Sequence, residues 1–290
     1  MPKRSHLYPA DSRHSRLRLM LGLFFSSGIG LLAYRRQSLD KSGVLGAIAS
    51  GTSIFGMGGW SWGLALIYFF VSSSLLSSFR ARDKASAAAD KFSKGSRRDL
   101  SQAAANGGLA TFFALLYGFS RSPSMRRIAK AGFTGALATA TADTWATELG
   151  VLSAPSPRLI TSGKPVSPGT SGGVTLLGMA ASALGASSLG FFFWATQGFC
   201  KSLATAPLLA LISGMGGSVF DSVLGATLQA MYYCPACKTE TERRIHRCGV
   251  RTESLRGITW MNNDVVNFLA TASGSMVAIG LGSFILPEEV

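Results

Sequence analysis

The sequence predicts an all-α, polytopic membrane protein of about eight transmembrane helices, within bounds of seven and nine. Three observations carry this. Hydrophobic residues make up 47% of the 290 residues and charged ones 14%, with a mean hydropathy of +0.29; ordinary soluble domains carry about 25% charge. The 28 Lys and Arg fall in clusters separated by apolar stretches. There are 14 acids, and three of them lie well inside apolar runs. The net charge of +14 and pI near 10.2 would suggest nucleic acid in a soluble chain. Its confinement to inter-span clusters excludes that partner and points to topogenic loops.

The spans, in order, are 19–34, 43–59, 62–79, 104–118, 131–152, 172–194, 204–230 and 265–286. Several are shorter than the roughly 20 residues of a clean crossing, the first and fourth being the weakest. The first follows a basic tail, 1–18, as a signal peptide would. Further spans follow at once, so it reads as a first anchor. Residues 19–286 then form one membrane domain with polar loops 80–103, 153–171 and 231–262 on one face. Trp60, Trp62, Trp194, Tyr232, Tyr233 and Trp260 sit near span ends, as an aromatic belt would. If all eight spans cross, the loops starting near Arg35, Arg80, Leu152 and Met231 share a face with 18 basic residues against 10 on the other. The positive-inside rule assigns that face to the cytoplasm.

Glycines, 34 in all, concentrate in the spans, where small residues let helices approach closely. The octets beginning at Gly43 and Gly132 are similar and hint at an internal duplication. Asp143, Glu148 and Asp221 lie within spans and Asp264 at the mouth of the last. An ionised group at a helix centre costs about 3 kcal/mol or more. No Lys or Arg shares those spans, so a proton relay, an ion site or a metal–phosphate site is expected. In the fifth span Asp143 and Thr147 share a helix face, with Thr141, Thr144 and Glu148 on the adjoining one. Such hard oxygen ligands suit Mg²⁺, although threonines also satisfy themselves on their own helix backbone.

The loop that follows contains Arg158, Lys164 and the run Gly169, Thr170, Ser171, Gly172, Gly173. Its backbone N–H groups and the next helix N-terminus suit phosphate; it is not a Walker A sequence. Asn263, Asp264 and Asn267 cluster at the entry of the last span, and Asn106 is a further candidate ligand, against simple helix capping. The basic stretch Arg80 to Arg98, with Lys84, Lys91 and Lys94, suits nucleotide phosphates, anionic headgroups or topogenesis alone. Cys234, Cys237, His246 and Cys248 have the spacing of a structural Cys₃His zinc site, with a disulfide or free thiols as the rival; a cytoplasmic face favours reduced thiols. Cys200 reads as a plain apolar residue, and His6 and His14 lie in the tail. No Ser-His-Asp or Cys-His nucleophile pattern is present.

The motifs Thr-Ala-Asp143-Thr-Trp-Ala-Thr-Glu148-Leu-Gly, Pro-Gly169-Thr-Ser-Gly-Gly, Phe-Asp221-Ser, Cys234-x-x-Cys, His246-Arg-Cys248-Gly and Asn262-Asn-Asp264 resemble the transmembrane protein 19 family, which includes the phytyl-phosphate kinase of plants and cyanobacteria. The resemblance runs from about Gly43 to Thr271. It implies phosphoryl transfer from a nucleoside triphosphate, CTP first among them, to an isoprenoid monophosphate such as phytyl or geranylgeranyl phosphate. Mg²⁺ would be held by Asp143, Glu148, Asp221 or Asp264, and phosphate by Lys164 and the Gly169–Gly173 backbone. The Asp, Gly-Lys and Ser-Pro-Gly-Thr features are also similar to those of dolichol kinases and CDP-diacylglycerol synthases. A CTP-dependent cytidylyltransferase making a CDP-lipid, and a transporter or flippase of phosphorylated lipids, therefore stand beside the kinase. Oligomeric state is not legible.

Overall fold

A computed structural model describes residues 12–88, 91 and 97–285. The tail through Asp11, with its His6, and Lys94 of the basic stretch lie outside the described residues.

Among the described residues eight long helices cover the eight apolar stretches: α1 Ser12–Arg35, α2 Lys41–Gly58, α3 Trp60–Ser78, α5 Leu100–Phe119, α6 Pro123–Gly150, α7 Leu176–Thr196, α8 Ala206–Thr227 and α9 Asn263–Ile285. A short helix α4, Ala81–Ala88, lies between α3 and α5. Among the described residues five of these are long and apolar enough to cross a membrane: α1, α3, α7, α8 and α9. The first span, expected to be weak, is one of the five, with α1 running to 24 residues.

Local chemistry sets the helix ends. The Asp40 carboxylate accepts from the Gly43 amide at 2.7 Å and starts α2. Gly59, at φ +87°, turns α2 into α3 with no intervening loop. Asp99 and Gln102 form a reciprocal capping box on α5. Pro123 in the first turn starts α6, and Thr175 caps α7 by accepting from the Gly178 amide at 2.9 Å.

Helix α6 is the hub. It packs against α3, α5, α7, α8 and α9, and every residue from Ala131 to Ala142 is buried. Its small side chains make that possible. Thr139 sits in a notch between Gly217 of α8 and Gly274 of α9; a Cβ at either glycine would collide with the Thr139 side chain. The Thr139 hydroxyl donates to the Ser213 carbonyl at 3.3 Å. The octets at Gly43 and Gly132 both pack on α5: Gly46 faces Leu100 and Ala103, and Gly132 faces Phe113. Trp62 is a correction to the belt expected from sequence. It is 2% exposed and packs against Phe133 with ring centroids 4.1 Å apart, whereas Trp60 and Trp260 are exposed.

Described parts of the three polar loops meet beside one another, lining a common cavity. The Arg98 amide donates to the Ser38 carbonyl and the Asp40 amide to the Arg98 carbonyl, each at 3.0 Å. A two-stranded ribbon, β1 Arg158–Leu159 with β2 Gly173–Val174, folds loop 153–171. The connection from α8 to α9 forms a three-stranded antiparallel sheet in the order β4-β3-β5: β3 Met231–Cys234, β4 Thr239–Thr241 and β5 Glu253–Arg256. The Glu242 amide donates to the Lys91 carbonyl at 2.9 Å, tying that sheet to the α4–α5 connection.

Overpacking a tight core costs about 1–3 kcal/mol. Gly217→Ala should therefore lower the melting temperature of the detergent-solubilised protein. Gly216→Ala, where an added Cβ meets nothing within 4 Å, should leave it unchanged. Equal melting temperatures would refute the notch.

Candidate functional site

At the loop end of the bundle a polar cavity of about 260 Å³ is walled by six helices and three connections between them. Helix α6 contributes Asp143, Thr144, Thr147 and Glu148 from its last two turns, and α8 contributes Ser218, Asp221 and Ser222. The geometry follows from the hub. Thr139 meets Gly217, and one helical turn further along each helix lie Asp143 and Asp221. Asp221 interacts electrostatically with both Asp143 and Glu242. The Ser218 hydroxyl donates to Asp143 at 3.5 Å. Asp221 Oδ2 is buried with no hydrogen-bond partner among the described residues. A buried carboxylate oxygen left in that state favours a cation. The donor set is all oxygen, which fits a hard divalent ion such as Mg²⁺.

The Gly-rich loop forms the facing wall, with Gly169 to Gly173 all lining the cavity. Gly169 and Gly172 have φ of +78° and +82°, and a Cβ at Gly172 would strike the Ala226 backbone of α8. Only glycine gives both that turn and that approach. The Ser171 hydroxyl donates to Gln229 Oε1 at 2.7 Å, and Gln229 Nε2 donates to Glu242 Oε1 at 2.9 Å. Arg256 donates to the Gly225 carbonyl at 2.7 Å and the Ser171 carbonyl at 3.2 Å. Loop, α8 and sheet are thereby locked together. Asn263 and Asn267 enter from α9, and Gln102 and Asn106 from α5.

Arg98 is the cation in the wall. Its guanidinium lies over the Phe70 ring, 5.9 Å from the centroid, and donates to Ser74 at 3.4 Å. Burial pulls its pKa below the ordinary arginine value, and Glu148 opposes that shift.

Eleven of the expected residues line this cavity: Asn106, Asp143, Glu148, Gly169, Thr170, Ser171, Gly172, Gly173, Asp221, Asn263 and Asn267. Four do not. Thr141 is buried behind it and donates to its own helix, to the Leu137 carbonyl at 2.7 Å. Arg158 is exposed and donates to the Gly163 carbonyl at 2.9 Å, closing the ribbon turn. Lys164 is exposed on that turn. Asp264 accepts from Ser101 at 2.8 Å outside the cavity. Glu148 nevertheless has a basic partner, from a polar loop outside the spans. Lys84 of α4 donates to its Oε2 and Ser77 to its Oε1, each at 2.5 Å. Lys84 also bonds the Leu76 carbonyl at the end of α3. Both oxygens of Glu148 are thus engaged, which weakens it as a metal ligand relative to Asp143 and Asp221. Ser77, Gln102 and Glu242 are lining residues that sequence reading missed. They come from span edges and polar loops, where polar residues do not stand out.

The connection beyond α8 brings Cys234, Cys237, His246 and Cys248 together, their ligand atoms all within 4.8 Å of one another. Cys234 Sγ and Cys248 Sγ are 3.7 Å apart. That is near the edge of about 3.8 Å expected for a zinc tetrahedron with Zn–S of about 2.3 Å. His246 and the Val250 amide lower the Cys248 thiol to about 6, and its neighbour Cys237 is pushed up to about 11 by the bond to Cys248. A divalent ion would relieve this competition by holding all three as thiolates.

Fold and site together define a multi-pass helical membrane protein with an acidic, oxygen-lined cavity and a Gly-rich loop at one end. The chain belongs to the family described as integral membrane protein DUF92, which matches residues 24–275. It is 32% identical over 274 residues to Protein PGR of Arabidopsis thaliana, covering 88% of this chain and 93% of that one. It is 28% identical over 271 residues to the uncharacterized membrane protein MJ0933 of Methanocaldococcus jannaschii, covering 93% and 96%. It is 25% identical over 272 residues to Protein VTE6, chloroplastic, of Arabidopsis thaliana, covering 92% and 72%. No solved structure matches the chain.

The Lys84–Glu148 pair is largely buried, with side chains 11% and 22% exposed. Removing one partner strands the other. Lys84→Met should destabilise the protein by about 1–3 kcal/mol, and Glu148→Gln on top should recover part of the loss. A double-mutant cycle in detergent tests this, and strict additivity would refute the pairing.

Proposed function

We propose that the protein is a membrane-embedded prenyl-phosphate kinase, transferring the terminal phosphoryl group of a nucleoside triphosphate, CTP first among them, to an isoprenoid monophosphate. The observation that carries this reading is the convergence of Asp143, Asp221 and Glu242 with a Gly-rich loop and a partly buried arginine in one cavity. The motif resemblance to the phytyl-phosphate kinase group supports it, and membership of a membrane family fits a lipid substrate.

Phosphoryl transfer is mostly positioning and charge stabilisation. An oxygen of the acceptor monophosphate attacks the terminal phosphorus of the donor, and the bond from that phosphorus to the bridging oxygen breaks. The products are a prenyl diphosphate and a nucleoside diphosphate. The acceptor is already an anion, so no strong base is required. In this reading Mg²⁺, when bound by Asp143 and Asp221, supplies neutralisation of phosphate charge. The Gly169–Gly173 segment cradles donor phosphates, and Arg98 grips phosphate with donors left over from its Ser74 contact. The cavity faces the cytoplasm by the positive-inside count. The Cys₃His cluster holds a structural zinc that orders the connection and, through the short run from β4, fixes Glu242 in the wall.

Purified protein with geranylgeranyl or phytyl phosphate, Mg²⁺ and each nucleotide should yield the diphosphate. No such product with any donor would overturn the reading. Asp143→Asn and Asp221→Asn should each cut kcat by about 100-fold or more while leaving membrane insertion intact; full activity in both would remove the metal assignment. Metal analysis should find about one zinc per chain, lost in Cys237→Ser; unchanged stoichiometry would refute the centre.

A further inference from the structure

A second cavity, of about 300 Å³, lies beside the first and is enclosed by α1, α2, α3 and α5. Its walls are apolar, with Phe25, Phe55, Ile67 and Phe70 prominent. The two cavities share three residues: Arg98, Gln102 and Asn106. One side of this partition is thus an acidic phosphate-type site, the other a greasy chamber, and a guanidinium stands between them. The matching ligand is an amphiphile whose anionic head sits against Arg98 and whose single hydrocarbon tail runs into the chamber.

We infer that the chamber is the tail-binding subsite for the isoprenoid chain of the acceptor, a reading that rests on the proposed kinase function and deepens it. A volume of about 300 Å³ is at the lower end of ligand pockets, which span about 300–1,000 Å³; it holds one chain, not the two of a diacyl lipid. The tail arrives from a bilayer as apolar as the chamber, so transfer contributes little to affinity. Shape and length therefore decide which chain is accepted.

Gly107 is the residue that sets that length. It is buried on α5 and lines the chamber, yet an added Cβ would meet nothing within 4 Å. Its missing side chain faces open space. Gly46, Gly51 and Gly63, which also line the chamber, are different, because a Cβ on each would press on Leu100, Ser26 or Phe55. A side chain grown at position 107 fills the chamber without displacing a wall.

The test uses the full chain in detergent with geranylgeranyl monophosphate carrying a terminal diazirine, mapped by mass spectrometry after irradiation. Label is expected on chamber residues such as Phe55, Ile67 and Phe70, displaced by unlabelled geranylgeranyl phosphate and not by phosphatidic acid. Gly107→Leu should cut that label by about tenfold or more, the scale on which an apolar pocket discriminates, and Gly107→Ala should cut it less. Label confined to lipid-facing side chains such as Phe112 or Met276, or equal displacement by phosphatidic acid, overturns the chamber assignment whether or not the variants fold. The two readings separate cleanly. Chamber label with no diphosphate from any donor removes the kinase and keeps the subsite, whereas diphosphate formation with label only outside removes the subsite and keeps the kinase.

Discussion

The notch that Gly217 and Gly274 make for Thr139 is the contact on which the site depends. Lipid tails are as apolar as leucine, so helices in a bilayer associate through close packing and hydrogen bonds more than through hydrophobic burial. Here three helices meet at backbone distance, and the Thr139 hydroxyl adds a bond to the Ser213 carbonyl. Fixing Thr139 against Gly217 fixes what lies one turn away on both helices, namely Asp143 and Asp221. Two acids that repel one another are thereby held in one cavity by packing that neither of them supplies.

The loop end is built around that pair. Arg98 is pinned to the α1–α2 link, Ser171 and Arg256 fasten the Gly-rich loop to α8 and the sheet, and Gln229 orients Glu242. Cys234 of the Cys₃His cluster ends β3, which pairs with β4, the strand that precedes Glu242. The order of that connection and the shape of the cavity wall are thus mechanically linked. The neighbouring apolar chamber shares the Arg98, Gln102 and Asn106 partition with this cavity.

Much of this was legible in the sequence because a bilayer gives charge strong contrast. The apolar stretches of the eight long described helices fall in the gaps between basic clusters, and Asp143, Glu148 and Asp221 stood out as acids in apolar runs. The same logic failed where contrast disappears. Lys84 and Glu242 lie in polar connections, where one more charge carries little signal, and only folding brings Lys84 to Glu148 and Glu242 to the cavity. Arg158 and Lys164 looked like phosphate ligands because they sit in the Gly-rich loop, yet the β1–β2 ribbon turns them outward. Thr141 lies on a helix face as periodicity required, but that face is packed and its hydroxyl is satisfied within the helix. Trp62 lay at a span end by counting, and the aromatic cluster with Phe133 drew it into the core.

The central claim is that Asp143 and Asp221 hold one divalent ion together. Electron paramagnetic resonance of Mn²⁺ added to the intact protein with nucleotide tests this most directly. The account predicts a bound-ion signal that is lost in Asp143→Asn and equally in Asp221→Asn. A bound signal that survives either substitution unchanged would contradict it.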